Sequence, residues 1–265
     1  MLILFYYNIP GAIHNLLTSF KKRERNLFCL SILIILAYDR DILHLKKFVE
    51  KYGDKMNVTS YNWKEELANA ITHGIGFILS IPALVLLIVF AVQKDNPLYL
   101  TSFLVYGISL MLLYVCSTLL HSFKPCKART IFNIMDHAAI YVLIAGSYTP
   151  FVLITIQGTL GWTLFGIIWG LAIAGIIYKI FMTGKLKLLS TSVYLLMGWM
   201  VMFAIKPLYT GLTPAGFWLL ATGGIMFTVG AIFYSIPKVP YMHAIWHLFV
   251  IAGTAFMYFC ILFYV

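Results

Sequence analysis

The chain has 265 residues, of which 62% are hydrophobic and 11% charged, and its formal net charge is +10. An ordinary soluble domain carries roughly one-quarter charged residues, so this composition excludes water as the main solvent. The basic excess does not mark a nucleic-acid partner, because most Lys and Arg sit between long apolar runs or near the amino terminus rather than on one soluble face.

Residues 1–55 stand apart from the rest. The first 56 residues hold nine of the 19 Lys and Arg and five of the nine acids. The apolar stretch 27–37 is about half the ~20 residues a spanning helix needs and is closed by Asp39, Arg40 and Asp41, so it is expected to be interfacial or loosely packed. The basic run 21–25 ahead of it resembles a signal-peptide layout, but no small-residue cleavage site follows. Residues 1–55 are therefore expected to be a non-core extension, of the kind an upstream extension of the reading frame would give, and 56–265 the membrane domain.

Apolar runs follow at about 70–92, 99–123, 131–156, 161–182, 188–205, 215–236 and 241–265. Each is about long enough to cross hydrocarbon as a helix, which satisfies its own backbone hydrogen bonds where water is absent. The gaps are short and rich in turn formers: Asp95-Asn96-Pro97, Lys124-Pro125, Gln157-Gly158, Thr183-Gly184, Thr213-Pro214 and 237–240. The expected fold is an all-α membrane protein, a seven-transmembrane helix bundle. Lys64, Lys124, Lys127, Arg129, Lys179, Lys185, Lys187 and Lys238 fall on one side, and only Lys94 and Lys206 on the other. Retention of basic residues on the cytoplasmic side then places the amino terminus inside and the carboxyl terminus outside, with Trp162, Tyr209 and Trp218 as outer interfacial anchors. Gly74, Gly76, Gly170 and Gly175 are read as points of close helix approach. The cysteines Cys29, Cys116, Cys126 and Cys260 show no CxxC spacing, so reduced thiols are expected rather than a disulfide framework or a cysteine metal site.

Ionisable residues inside spans are costly, and their default reading is functional. Here they share one depth: His73 at the start of the first span, His121 at the end of the second, Asp136 and His137 at the start of the third, His243 and His247 at the start of the seventh. His243 and His247 are spaced i, i+4, which puts both imidazoles on one helix face and suits chelation of a metal ion. His121 supplies a third imidazole at the same depth, with Ser117 one turn deeper. Three histidines with an open position is the pattern of a catalytic zinc site. The bland alternative for the pair is two helix-end histidines meeting headgroups or backbone carbonyls. Asp136 reads equally as a proton acceptor, a partner for a ligand imidazole, or an interfacial carboxylate paired with Arg129 or a lysine. Its neighbour His137, turned about 100° on the helix, is expected to face elsewhere. Glu66, Asn69 and His73 form one polar stripe at i, i+3 and i+7, read evenly as an orienting group for the metal site or as helix-end and interhelical structure. No GxSxG, phosphate loop or HExxH is present, which removes several hydrolase and nucleotide-binding classes.

Four strings, EELANAITHGIG (65–76), STLLH (117–121), DHAAIY (136–141) and HAIWH (243–247), resemble the bacterial hemolysin III family, a branch of the progestin and adipoQ receptor superfamily. The resemblance begins at about Asn62 and leaves out residues 1–55. It implies a multi-pass protein of the cell (plasma) membrane with a zinc ion held near the cytoplasmic side by His121, His243 and His247, and Ser117 and Asp136 as accompanying polar residues. The superfamily is similar to alkaline ceramidases, which implies hydrolysis of a lipid amide or ester, or a part in membrane-lipid homeostasis. In such a reaction zinc would acidify a water, Asp136 would handle the proton and Ser117 would steady the oxyanion. Two other readings remain open: a receptor-like sensor with structural zinc, and the cytolytic or pore-forming activity in the family's name. The sequence offers no amphipathic pore-forming segment in support of cytolysis.

Overall fold

The computed structural model describes residues 61–182, 187–236 and 239–265. The expected boundary at residue 55, the stretch 27–37, Cys29, Lys185, Lys238 and the side chain of Lys187 lie outside the described residues. Within them there is no strand, and seven helices are long and apolar enough to cross a membrane. They are α1 (Trp63–Val92), α2 (Pro97–Ser122), α3 (Lys127–Ile156), α4 (Gly158–Met182), α5 (Leu188–Gly211), α6 (Pro214–Tyr234) and α7 (Met242–Tyr264). The chain is an integral multi-pass membrane protein.

The turn residues do what their chemistry dictates. The Asn62 side chain accepts from the Lys64 amide, the Asn96 side chain accepts from the Leu98 amide, and the Thr213 hydroxyl accepts from the Gly216 amide. Each thereby occupies a backbone donor that a helix start leaves without a partner. Pro97 and Pro214 open α2 and α6, where a missing amide proton costs nothing. The cap at Asn62 explains why α1 begins seven residues before the apolar run: its first turn is polar, with Glu65 and Glu66 near the positive end of the helix dipole.

Two spans depart from simple α-helix. In α3, Pro150 lacks a donor and a π-helical turn, Phe151–Ile156, follows it. In α5 the expected span 188–205 continues to Gly211, because a 3₁₀ segment, Met200–Ala204, is inserted before the last helical turns. The Tyr148 hydroxyl stabilises that break, accepting from the Val201 amide at 2.7 Å and facing the Gly198 and Met197 carbonyls at 2.6 and 3.0 Å.

Consecutive helices α1 to α4 pack side by side, α6 packs on α7, and α7 returns onto α1, while α5 touches α3 and α6 more sparsely. In the most apolar stretch of each helix, 56% of α2 and 61% of α3 are buried against 22% of α1, α5 and α6, so α2 and α3 form the centre. Gly76 and Gly175 allow close approach, their missing side chains leaving room for the rings of Tyr114 and Tyr141. Gly74 has ordinary contact with Thr118, and Gly170 faces open space, so the close-approach reading fails for Gly170. Arg129 and Lys179, counted above with the basic residues of one side, are buried; Lys179 donates to the Ser190 hydroxyl at 2.8 Å. Cys116 and Cys260 are free thiols, and both are buried.

Candidate metal centre

The antiparallel order of the helices brings the start of α1, the end of α2 and the starts of α3 and α7 to one end of the bundle. There His121, His243 and His247 each offer a ring nitrogen within 4.8 Å of the others, a group able to hold a metal ion. The α7 pair keeps its rings 4.5 Å apart, and His121 lies 5.0 and 5.3 Å from them. Tyr241, in the left-handed region at φ 62°, turns the chain into α7 two residues before His243.

The first turns of α1 orient two of the three rings. Glu66 Oε2 lies 2.7 Å from His121 Nδ1; a carboxylate only accepts, so that nitrogen carries a proton and, in the neutral ring, Nε2 presents its lone pair. His247 Nδ1 lies 3.2 Å from the Asn69 carbonyl and 3.1 Å from the Thr72 hydroxyl oxygen, so its Nε2 is also left as an acceptor, buried and, among the described residues, without a hydrogen-bond partner. His121 Nε2 faces His243 Nε2 at 3.2 Å. Two nitrogens each about 2.0–2.1 Å from a tetrahedral ion lie about 3.3 Å apart, so the His121–His243 spacing and the three-imidazole donor set fit a cation such as zinc. Hydrogen bonds at the far ring nitrogens are the usual way a protein fixes ligand tautomers.

The remaining residues surround this group. His73 is fully buried and stacks on His247 with ring centres 3.5 Å apart, while its edge meets Tyr114 at 5.1 Å. Ser117 is fully buried, one turn deeper than His121, and its hydroxyl has no hydrogen-bond partner among the described residues; the Asn69 amide group is likewise buried without one among them. Asp136 is buried but stands outside the three-histidine group. With His243 it borders the polar end of a cavity of about 260 Å³ that continues past Leu143, Phe151 and Leu208. His137 borders the same cavity, which corrects the expectation that it faces away: the cavity is broad enough along α3 for adjacent residues to share its wall. His137 also bonds the Asn133 carbonyl at 2.7 Å.

A scan against family models matches residues 61–258 to Haemolysin-III related proteins. The chain belongs to the haemolysin III family. Hemolysin-3 of Bacillus cereus is 57% identical over 212 residues, covering 80% of this chain and 97% of that relative. The Hemolysin-3 homolog of Bacillus subtilis (strain 168) is 57% identical over 201 residues, 76% of this chain and 94% of the relative. The human monocyte to macrophage differentiation factor is 32% identical over 203 residues, 74% of this chain and 83% of its own. No solved structure matches.

Sequence reasoning missed four contributors. Thr72 was hidden beside His73. Tyr61 precedes α1 and stacks on His243 at 5.2 Å; burial first, then the charges of Glu66, Glu65 and Asp136, push its phenol up to about 12. Trp246 leans on His243 and His247 at 5.3 Å and also lines the cavity. Arg129 was counted as a loop charge, yet it sits in the first turn of α3, where a cation opposes the helix dipole; that misfit was the available signal of another role.

Proposed function

We propose that the chain is a zinc-dependent hydrolase of lipid amides or esters in the plasma membrane, with its amino terminus cytoplasmic and membrane-lipid homeostasis as its role. One juxtaposition carries this reading: a group able to bind a metal ion stands at the polar end of an apolar cavity, with His243 and Asp136 both on the cavity wall. His121, His243 and His247 would hold the ion. When bound, zinc supplies Lewis acidity toward a carbonyl and lowers the pKa of water.

The chain's own residues do the rest. The long apolar wall, with Leu143, Phe151, Leu208 and Leu220 among its members, takes up an acyl chain and leaves the amide or ester at the polar end. Asp136 accepts a proton from the attacking water and delivers it to the departing amine or alkoxide. Ser117, whose buried hydroxyl lacks a partner among the described residues, donates to the oxygen that gains charge on the carbonyl.

The test is release of fatty acid from ceramides and glycerolipids by zinc-loaded protein in detergent. Asp136→Asn is expected to lower turnover by about 10²–10⁴-fold with zinc retained. Unmutated, zinc-loaded protein that turns over no amide or ester lipid contradicts the hydrolase reading and favours a sensor.

A further inference from the structure

We infer that Arg129 is a positioning residue for the metal centre, acting through Glu66 and through the end of α2. The inference rests on the metal-binding reading of the three histidines but not on the reaction. Arg129 is buried, and among the described residues its guanidinium reaches two acceptors that converge on His121. Its Nη2 donates to Glu66 Oε1 at 2.5 Å, and the other oxygen of that carboxylate holds His121 Nδ1 at 2.7 Å. Its Nη1 donates to the Phe123 carbonyl at 2.7 Å.

Phe123 is the residue at which α2 leaves helical geometry, two positions after His121. The last carbonyls of a helix have no intrahelical partner, so the final turn frays unless something binds them. One side chain from α3 therefore fixes both the turn that carries His121 and the carboxylate that aims its ring. The Tyr61 amide donates to Glu66 Oε1 at 3.0 Å, a third bond to the carboxylate that completes its seat.

Only a planar, forked cation serves two acceptors in this way; a lysine ammonium supplies charge without the fork. This accounts for a cation in the first turn of α3, where the helix dipole opposes it. The role differs from ligation: Arg129 never meets the ion, and its effect on His121 is through geometry.

The experiment is zinc competition against a chromophoric chelator, with the visible spectrum of the cobalt-substituted protein as a second readout. Arg129→Met and Glu66→Gln are each expected to weaken zinc binding by about 10–100-fold and to shift the cobalt bands. Arg129→Lys should recover only part of the loss. In the Glu66→Gln background, Arg129→Met should add less than its effect alone, because the two act along one route. If unmutated protein binds zinc and Arg129→Lys and Arg129→Met bind it equally well with an unchanged cobalt spectrum, the inference falls and the metal reading stands. Fully additive losses also overturn it. Unmutated protein that binds no zinc overturns both. Arg129→Lys keeps the charge and carries the test should the methionine variant fail to fold.

Discussion

The two walls around the histidine group are built differently. On the α1, α2 and α7 side, polar bonds run between helices: Glu66 to His121, Asn69 and Thr72 to His247, the Tyr114 hydroxyl to Thr254 at 2.6 Å, and the Tyr106 hydroxyl to the Thr254 carbonyl at 3.1 Å. On the α3, α5 and α6 side an apolar cavity fills the space, and polar bonds pin the wall only at points such as Tyr148 on the α5 break, Tyr194 on the His137 carbonyl, and Trp199 on Thr228. Ligand atoms that must stay within a few tenths of an ångström call for the first construction. A site that must admit a long apolar molecule calls for the second.

The sharpest way to break this contrast is to damage each wall and read the same two properties. His243→Ala is expected to weaken zinc binding by more than the ~10–100-fold that losing an outer hydrogen-bond partner costs, measured by chelator competition. Gly224→Phe should do the reverse: Gly224 lines the cavity and a Cβ added there meets nothing within 4 Å, so a ring at this position is expected to occupy the cavity. Binding or turnover of long-chain lipid should fall about tenfold, the equivalent of ~1.4 kcal/mol, while zinc affinity holds. Lost zinc affinity in Gly224→Phe would show that the walls are not separable.

How far this contrast could be read from the chain alone follows from the physics of each wall. Seven spans, the shared depth of the histidines and the convergence of His121, His243 and His247 were legible, because apolar length and i, i+4 spacing are local properties. Which partner each residue takes across helices was not. Nothing local distinguishes Glu66 paired with His121 from Glu66 at a helix start, and Arg129 near a span end looks like any headgroup cation. The cavity was invisible as well, since the residues that line it are the same Leu, Ile and Phe that face lipid elsewhere. The 3₁₀ break in α5 depends on a hydroxyl from α3, a contact no periodicity announces.

Smaller effects refine the comparison. Tyr148→Phe removes the group that accepts from the Val201 amide and should lower stability by about 1–3 kcal/mol, with zinc affinity unchanged, in a thermal melt of the detergent-solubilised protein. Thr72→Val leaves His247 Nδ1 with the Asn69 carbonyl alone. It should weaken zinc binding only a few-fold, in line with the ~0.5–1.5 kcal/mol of one hydrogen bond. The least effect concerns pH. Because the folded Tyr61 phenol is raised from 10.0 to about 12, its contribution to stability is complete below pH 10 and lost as pH climbs toward 12. The stability difference between the unmutated protein and Tyr61→Phe should accordingly be flat from neutral pH to 10 and change only above it.

The most direct test of the central claim is the metal content, by elemental analysis, of protein purified without chelators beside a His247→Ala variant prepared in parallel. One zinc ion per chain in the first and none above background in the second is the result the account predicts. Equal metal in both, or none in either after incubation with zinc, would contradict it.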